Sequence, residues 1–205
     1  MQVKPITFLR YAGSKRRILN KLLKYLPSAD SIKGRFVDPF VGGGNVFFGF
    51  NPKKALLSDI NKDLIDLYRA IRRDPIAVWE IFANHPNTKE GYYEVRNSEE
   101  KLSLIPRAAK TLYLNRTCFR GWWRYNVYGQ FNVGYGGESR RWCITCEDLV
   151  GISKRLHGIK LQHGDFELII DNCKPQDFIF ADPPYQVKDS YTDGRLIGSK
   201  ILRSL

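Results

Sequence analysis

An aspartate, two prolines and a tyrosine, Asp182-Pro183-Pro184-Tyr185, close the apolar run Asp177-Phe178-Ile179-Phe180-Ala181. The prolines fix φ and forbid helix directly after the run. The backbone is held extended there, with carbonyls free to accept hydrogen bonds. That arrangement suits a site gripping an exocyclic amine: the Asp182 carboxylate accepts one N–H and the Pro183 carbonyl a second. Such bonds draw the nitrogen toward tetrahedral geometry and aim its lone pair at an electrophile. Tyr185 supplies a flat face on which an extruded base can stack. The plainer alternative is a polyproline-like docking segment. The apolar run in front of the prolines, and the acid abutting them, favour the amine-gripping reading.

Three further acids follow short segments that read as strands. Asp38 ends Arg35-Phe36-Val37-Asp38, Asp59 ends Ala55-Leu56-Leu57-Ser58-Asp59, and Asp165 follows Ile159-Lys160-Leu161-Gln162 in Gly164-Asp165-Phe166. On parallel strands these carboxylates crowd one edge, which is costly unless they hold donors or positive charge. S-adenosylmethionine offers both: a sulfonium, an ammonium, a ribose diol and an adenine amino group. The segment Phe40-Val41-Gly42-Gly43-Gly44 lets the backbone approach a ligand closely. It lacks the G-x-G-x-x-G spacing of a dinucleotide phosphate site, and by itself reads equally as a tight strand-to-helix turn. Asp59 suits a ribose diol or a strand-end cap.

Helical patterns between these runs complete the layout. Residues 16–26 carry apolar positions at helical spacing and predict one amphipathic helix with basic outer positions. Asn61 to Arg72 predicts a second, with Asn61 as N-cap. Residues 75–115 read as mostly helical, with turns near 84–86 and 89–91. Residues 117–145 are rich in aromatic, Arg and Gly residues. They predict an irregular lobe with a hairpin around Asn126-Val127-Tyr128-Gly129-Gln130-Phe131. A helix is expected over 147–156. Strands alternating with helices imply a parallel α/β sheet with ligands at the carboxyl ends of its strands.

The 205 residues suit one domain with a smaller inserted lobe. Lys and Arg total 33 against 21 Asp and Glu, a formal charge of +12 that fits either a polyanion partner or plain solubility. There is no apolar run of about 18 residues or more, so no membrane span is expected. Met1 to Ile6 lacks the apolar core of a signal peptide, so a cytoplasmic protein is expected. Cys143 and Cys146 form a lone C-x-x-C; Cys118 and Cys173 stand apart, and His85, His157 and His163 are scattered. Reduced thiols rather than a metal site are expected.

Taken together, the motifs resemble the Dam-type family of DNA adenine methylases, collinearly over roughly residues 7–191. Phe8-Leu9-Arg10-Tyr11-Ala12-Gly13-Ser14-Lys15 looks like the family's N-terminal cofactor motif, Asp38-Pro39-Phe40-Val41-Gly42-Gly43-Gly44 its glycine loop, and Ser58-Asp59-Ile60-Asn61 its ribose-binding strand end. Gly164-Asp165-Phe166 resembles the segment near the cofactor adenine, and Asp182-Pro183-Pro184-Tyr185 the catalytic motif. Asn115-Arg116, Gly121-Trp122-Trp123-Arg124-Tyr125-Asn126 and Gly129-Gln130-Phe131-Asn132-Val133 resemble its target-recognition region. The chain departs from the usual pattern at Arg120, often asparagine, and at Gly134, often proline.

The resemblance implies an α/β fold: a Rossmann-like methyltransferase sheet, incomplete at its C-terminal side, with an inserted helical and hairpin DNA-recognition lobe. Residues 1–75 and 146–205 would form the S-adenosylmethionine-binding catalytic domain, and 76–145 the target-recognition lobe. Implied cofactor contacts are Tyr11, Ala12, Gly13, Lys15, Asp38, Phe40, Gly42, Gly44, Asp59, Asp165, Phe166 and Asp182. By residue type alone, Tyr11 would be a core aromatic and Lys15 a surface charge. Catalysis falls to Asp182, Pro183, Pro184 and Tyr185.

Implied contacts to double-stranded DNA are Arg10, Asn115, Arg116, Phe119, Arg120, Arg124, Asn126 and Asn132. Arg124 is placed to read a guanine edge and Phe119 to wedge into the stack. Trp122 and Trp123 are expected to pack beneath the hairpin. The implied reaction is methyl transfer to adenine N6 in duplex DNA at a short site, with GATC the candidate, in a bacterial or phage-infected cell. N4-cytosine methylation and a catalytically impaired DNA-binding remnant are the competing readings. Only 20 residues follow Tyr185, and Gly194-Arg195-Leu196 through Leu205 does not look familial. A C-terminally truncated form, with weak or no methyl transfer by itself, is therefore expected.

Overall fold

Four parallel strands, β1 (Phe36–Asp38), β2 (Ala55–Asp59), β3 (Lys160–His163) and β4 (Phe178–Ile179), form a sheet in the order β3-β2-β1-β4. The structure, a computed structural model, describes residues 8–11, 13–98, 101–138 and 144–184. All four strands fall where the sequence predicts them. The helices are α1 (Leu19–Leu22), α2 (Asn45–Phe50), α3 (Lys62–Arg73), α4 (Pro75–Asn84), α5 (Lys89–Asn97), α6 (Leu104–Thr117), α7 (Cys146–Leu156) and α8 (Phe166–Asp171).

Successive strand residues point to opposite faces. Phe36, Ala55, Leu57 and Leu161 enter the main core with Leu64, Tyr68 and Ile71 of α3, Leu112 of α6 and Ile152 of α7. Val37 and Leu56 point the other way and meet Ile169 of α8. Side chains from α4 and α6 belong to the same main core as those of α3 and α7.

Local chemistry sets the helix ends. Asn61 Oδ1 accepts from the Leu64 N–H (3.3 Å), as its predicted N-cap role requires. Asp74 caps α4 through Ala77 N–H (3.0 Å), with Pro75 in the first turn where no donor is lost. Thr145 and Asp148 form a capping box at α7.

Two expectations are corrected. The segment 16–26 is not one helix: α1 is flanked by 3-10 turns at Lys15–Arg17 and Leu23–Tyr25. The change comes at β-branched Ile18 (φ −108°, ψ 2°), and Leu26, extended before Pro27, ends the segment. The stripe of Leu19, Leu22, Leu23 and Leu26 still meets the core. The expected turn at 89–91 is instead the first turn of α5, capped by Thr88 Oγ1 on Gly91 N–H (3.1 Å). Gly91 is there for space, because a Cβ would lie 2.3 Å from the Pro86 ring.

Ion pairs on buried carboxylates staple the frame. Asp66 of α3, 4% exposed, accepts from Lys62 and from Arg69 (3.1 Å), and from Arg107 of α6 (2.7 Å). At the amino edge of the sheet, Arg35 binds Asp177 through Nη2 (2.6 Å) and its backbone N–H (2.7 Å), locking β4 beside β1. The Arg35 guanidinium holds the Asp177 carboxyl well below the usual carboxylate range.

Candidate functional site at the carboxyl edge

The ends of β1 and β2 are tied together by the glycine loop. Val41 N–H donates to Ser58 O (2.9 Å), Gly44 N–H to Val41 O (2.8 Å) and Gly42 N–H to Asp59 Oδ2 (3.0 Å). The other Asp59 oxygen accepts from Asn61 N–H (2.9 Å), so this acid spans the loop and the start of α3. Tyr68, from the core side, donates to Gly42 O (2.9 Å). Gly44 has φ +68°, and a Cβ there would lie 2.6 Å from the Tyr68 hydroxyl. Gly42 has φ +47°, and a Cβ would lie 2.9 Å from the Tyr11 ring. The loop needs glycine for conformation and for space together.

Asp38 is 3% exposed and accepts from Phe40 N–H (3.1 Å). Burial pushes its carboxyl up to about 8, and the charges of Asp59 and Asp182 push the same way. Burial also raises Asp59, against the backbone donors that lower it. Burial, and secondarily Asp59, raise the Tyr11 hydroxyl well above its ordinary value. Asp182, just past β4, pairs with Lys15 Nζ (2.6 Å), which also donates to Gly13 O (3.3 Å). The Phe40 and Phe166 rings meet at 5.2 Å beside the edge. The result is a carboxylate-rich rim with one lysine and aromatic walls, suited to a ligand rich in donors or positive charge.

Tyr11, Gly13, Lys15, Asp38, Phe40, Gly42, Gly44, Asp59, Phe166 and Asp182 thus belong to one end of the sheet. Asp165 serves α8 as its N-cap, accepting from Glu167 N–H (3.0 Å). Pro183 is half-buried and Pro184 exposed. Ala12 and Tyr185 lie outside the described residues, as does Cys143.

The expected DNA contacts divide. Asn115, 1% exposed, accepts from Arg10 N–H (2.9 Å) and donates to Arg10 O (2.7 Å). Arg116, 4% exposed, reaches Phe8 O (3.5 Å). Both clamp the backbone of the N-terminal segment, because α6 turns them inward. Phe119 and Arg120 are exposed, with the Arg120 guanidinium 5.2 Å from the Phe119 ring. Exposed Arg124 donates through Nε to Asn132 Oδ1 (2.9 Å). Asn126 Oδ1 accepts from Tyr128 N–H and Gln130 N–H (3.0 Å each), so this side chain shapes the hairpin turn.

The expected hairpin closes through an antiparallel bridge between Tyr125 and Phe131. Trp123 packs as expected, half-buried with its ring 6.0 Å from that of Tyr11. Trp122 does not: it is 45% exposed. Gly121, at φ +69° and pressed on Arg10 where a Cβ would lie 2.2 Å away, turns the chain outward there. No local signal in the sequence marks the contacts of Tyr68, Tyr125 or Asp63, whose partners lie far along the chain. Burial pushes the Cys118 thiol up to about 11. Among the described residues no group of His, Cys, Asp or Glu could hold a metal ion, and no helix is long and apolar enough to cross a membrane.

The chain matches D12 class N6 adenine-specific DNA methyltransferases over residues 11–197, a span that includes Gly194-Arg195-Leu196 and so corrects the expectation that the likeness ends before them. It is 35% identical over 187 residues to a type II methyltransferase of Lactococcus lactis subsp. cremoris, covering 87% of this chain and 65% of that protein. It is 33% identical over 184 residues to the DNA adenine methylase of Escherichia coli (strain K12), covering 87% and 64%. It is 37% identical over 187 residues to the DNA N-6-adenine-methyltransferase of Escherichia phage P1, covering 88% and 24%. In each of these the chain spans less than two thirds of the relative's length. A family match over most of the sequence, joined to a parallel sheet that gathers its strand-end acids, leads to one conclusion: the chain belongs to the D12 class N6 adenine-specific DNA methyltransferase family.

Proposed function

We propose that this chain transfers a methyl group from S-adenosylmethionine to the N6 amine of adenine in duplex DNA, with GATC the candidate site. The observation that carries this reading is the placement of Asp182. It sits at the carboxyl end of β4, held by Lys15 at 2.6 Å, on the edge that also bears buried Asp38 and Asp59.

The residues of this edge fit the cofactor. A buried carboxyl pushed up to about 8, as Asp38 is, favours a cationic or donor-rich neighbour. Asp59 and Asp38 would receive the cofactor's donors, and Tyr11, Phe40 and Phe166 would wall its flat and apolar parts. When bound, S-adenosylmethionine supplies an electrophilic methyl group on a sulfonium. Lys15 fixes the Asp182 carboxylate, whose oxygen accepts one N–H of the adenine amine while the Pro183 carbonyl accepts the other. Those two bonds orient the nitrogen lone pair. Exposed Arg120 and Arg124, on the 117–138 segment, provide guanidinium groups for phosphate or guanine contact. Residues 76–145 serve as the recognition lobe in this reading.

The test is incubation of the purified chain with labelled S-adenosylmethionine and unmethylated DNA, followed by nucleoside mass spectrometry. N6-methyladenine is the expected product, lost in Asp182→Ala. N4-methylcytosine, or transfer equal in wild type and Asp182→Ala, would overturn the reading. Protection of plasmid GATC sites from methylation-sensitive cleavage tests the target sequence separately.

A further inference from the structure

Tyr125 lies on the recognition hairpin, yet its hydroxyl reaches the start of α3, next to the cofactor edge. It donates to Asp63 Oδ2 (2.7 Å), lies 3.4 Å from Asn61 Oδ1, and accepts from Trp123 Nε1–H (2.6 Å). Burial, and then the Asp63 charge, raise this hydroxyl well above its ordinary value, so it stays a donor. Its ring stands edge-on to Phe131 at 6.2 Å, across the bridge that closes the hairpin.

Two routes lead from there to the glycine loop. The first runs from Tyr125 through Asn61 to Asp59, whose second oxygen holds Gly42 N–H, with Asp63 anchoring the same hydroxyl to the first turn of α3. The second runs from Tyr125 through the Trp123 indole to the Tyr11 ring, which lies against Gly42. A shift of the hairpin must therefore either break the Tyr125 hydrogen bonds or move the residues that shape the loop.

We infer that Tyr125 is a positioning residue, acting with Asp63, that couples the recognition hairpin to the cofactor edge, so that duplex DNA and cofactor strengthen each other's binding. The inference rests on the methyltransferase reading above. Tyr125 touches neither reacting group; it acts through Asp63, Asn61 and Trp123. The coupling is reciprocal by linkage.

The test measures the calorimetric Kd of S-adenosylhomocysteine, which has no methyl to transfer, with and without saturating sheared, unmethylated genomic DNA. In the wild type, DNA should lower that Kd by about tenfold, within the usual range of coupling between sites. In Tyr125→Phe the factor should fall below about twofold, with the DNA-free Kd changed by less than about twofold. Asp63→Asn keeps an oxygen acceptor for the Tyr125 hydroxyl and should retain a factor above about fivefold. If Tyr125→Phe does not fold, Asp63→Ala takes its place with the same expected loss.

A wild type without coupling, or a Tyr125→Phe factor equal to wild type, overturns the inference and leaves the methyltransferase reading standing. A DNA-free Kd weakened as much as the DNA-bound one marks a merely structural contact and also overturns it. A wild type that binds no S-adenosylhomocysteine overturns the methyltransferase reading itself.

Discussion

Asp177 and Asp38 sit at opposite ends of neighbouring parallel strands, and their surroundings differ in kind. Asp177, at the amino edge, is gripped by the Arg35 guanidinium and two backbone N–H groups, and its carboxyl is held well below the usual range. Asp38, at the carboxyl edge, has one backbone donor among the described residues, and its carboxyl is pushed up to about 8. A buried acid satisfied by its own fold is a staple. A buried acid that the fold leaves under-satisfied, beside a second acid, is an invitation to a ligand. The difference separates an aspartate that the fold itself satisfies from one that it leaves open to a ligand.

The two acids should tilt stability in opposite directions with pH. Asp177 has a lowered folded pKa. Its contribution is present above the unfolded value and lost as pH falls through the folded one. Asp38 has a raised folded pKa. Its contribution is present below the unfolded value and lost as pH rises toward and through about 8. Each pH unit in that window removes at most about 1.4 kcal/mol per carboxyl. Asp38→Asn, which keeps an acceptor for Phe40 N–H, should therefore flatten the alkaline limb of a denaturant-stability profile. The gain at pH 9 should be on the order of 3 kcal/mol after relaxation. Parallel wild-type and variant profiles between pH 5 and about 9 would break the comparison.

Arg35→Ala attacks the other pole. It leaves a buried carboxylate without its cation, so urea unfolding at neutral pH should show a loss of about 2–3 kcal/mol. A loss below about 0.5 kcal/mol would mean that Asp177 is not a staple. Gly44→Ala comes next. Its Cβ would meet the Tyr68 hydroxyl and the Phe48 ring at a left-handed φ, for a loss of about 2 kcal/mol. Because the loop distorts, cofactor affinity should fall with it, whereas Arg35→Ala should leave that affinity in place once folded.

Much of this comparison is legible in the chain itself. Strands β1, β2 and β4 lie in short apolar runs and β3 in the alternating Ile159-Lys160-Leu161-Gln162, and the alternation with helices forces the parallel order that brings the acids together. Asn61 is legible as a cap because capping is local. What escapes local reading depends on distant partners or on a single dihedral. Asn115 and Arg116 enter the sequence reading only through the resemblance, and that α6 packs them onto the backbone of Arg10 and Phe8 has no local signal. Trp122 looks like a packing residue until the positive φ of Gly121 turns the chain outward. Tyr125 and Asp63, 62 positions apart, carry no pairing signal at all. Helix α8 is short, and the Gly164-Asp165-Phe166 motif in front of it draws attention away from a helix start.

The smallest expected effect gives the finest contrast between the two edges. Phe166 meets Phe40 beside the carboxylate rim, and Leu168, two residues on, lies 62% exposed in the groove with Arg35 and Lys54. Both belong to α8, so both test the same helix from different sides. Phe166→Leu removes an aromatic pair worth about 0.5–1.5 kcal/mol. Measured by calorimetry, cofactor affinity should fall by a few-fold, with the melting temperature lowered by about 1–6 °C. Leu168→Ala removes an exposed side chain and should move neither quantity. If both variants weakened the cofactor alike, α8 would be acting as a whole and the wall would not be local to Phe166. If neither did, the Phe40–Phe166 pair would belong to packing, and the functional part of the edge would shrink to the acids, Lys15 and Tyr11.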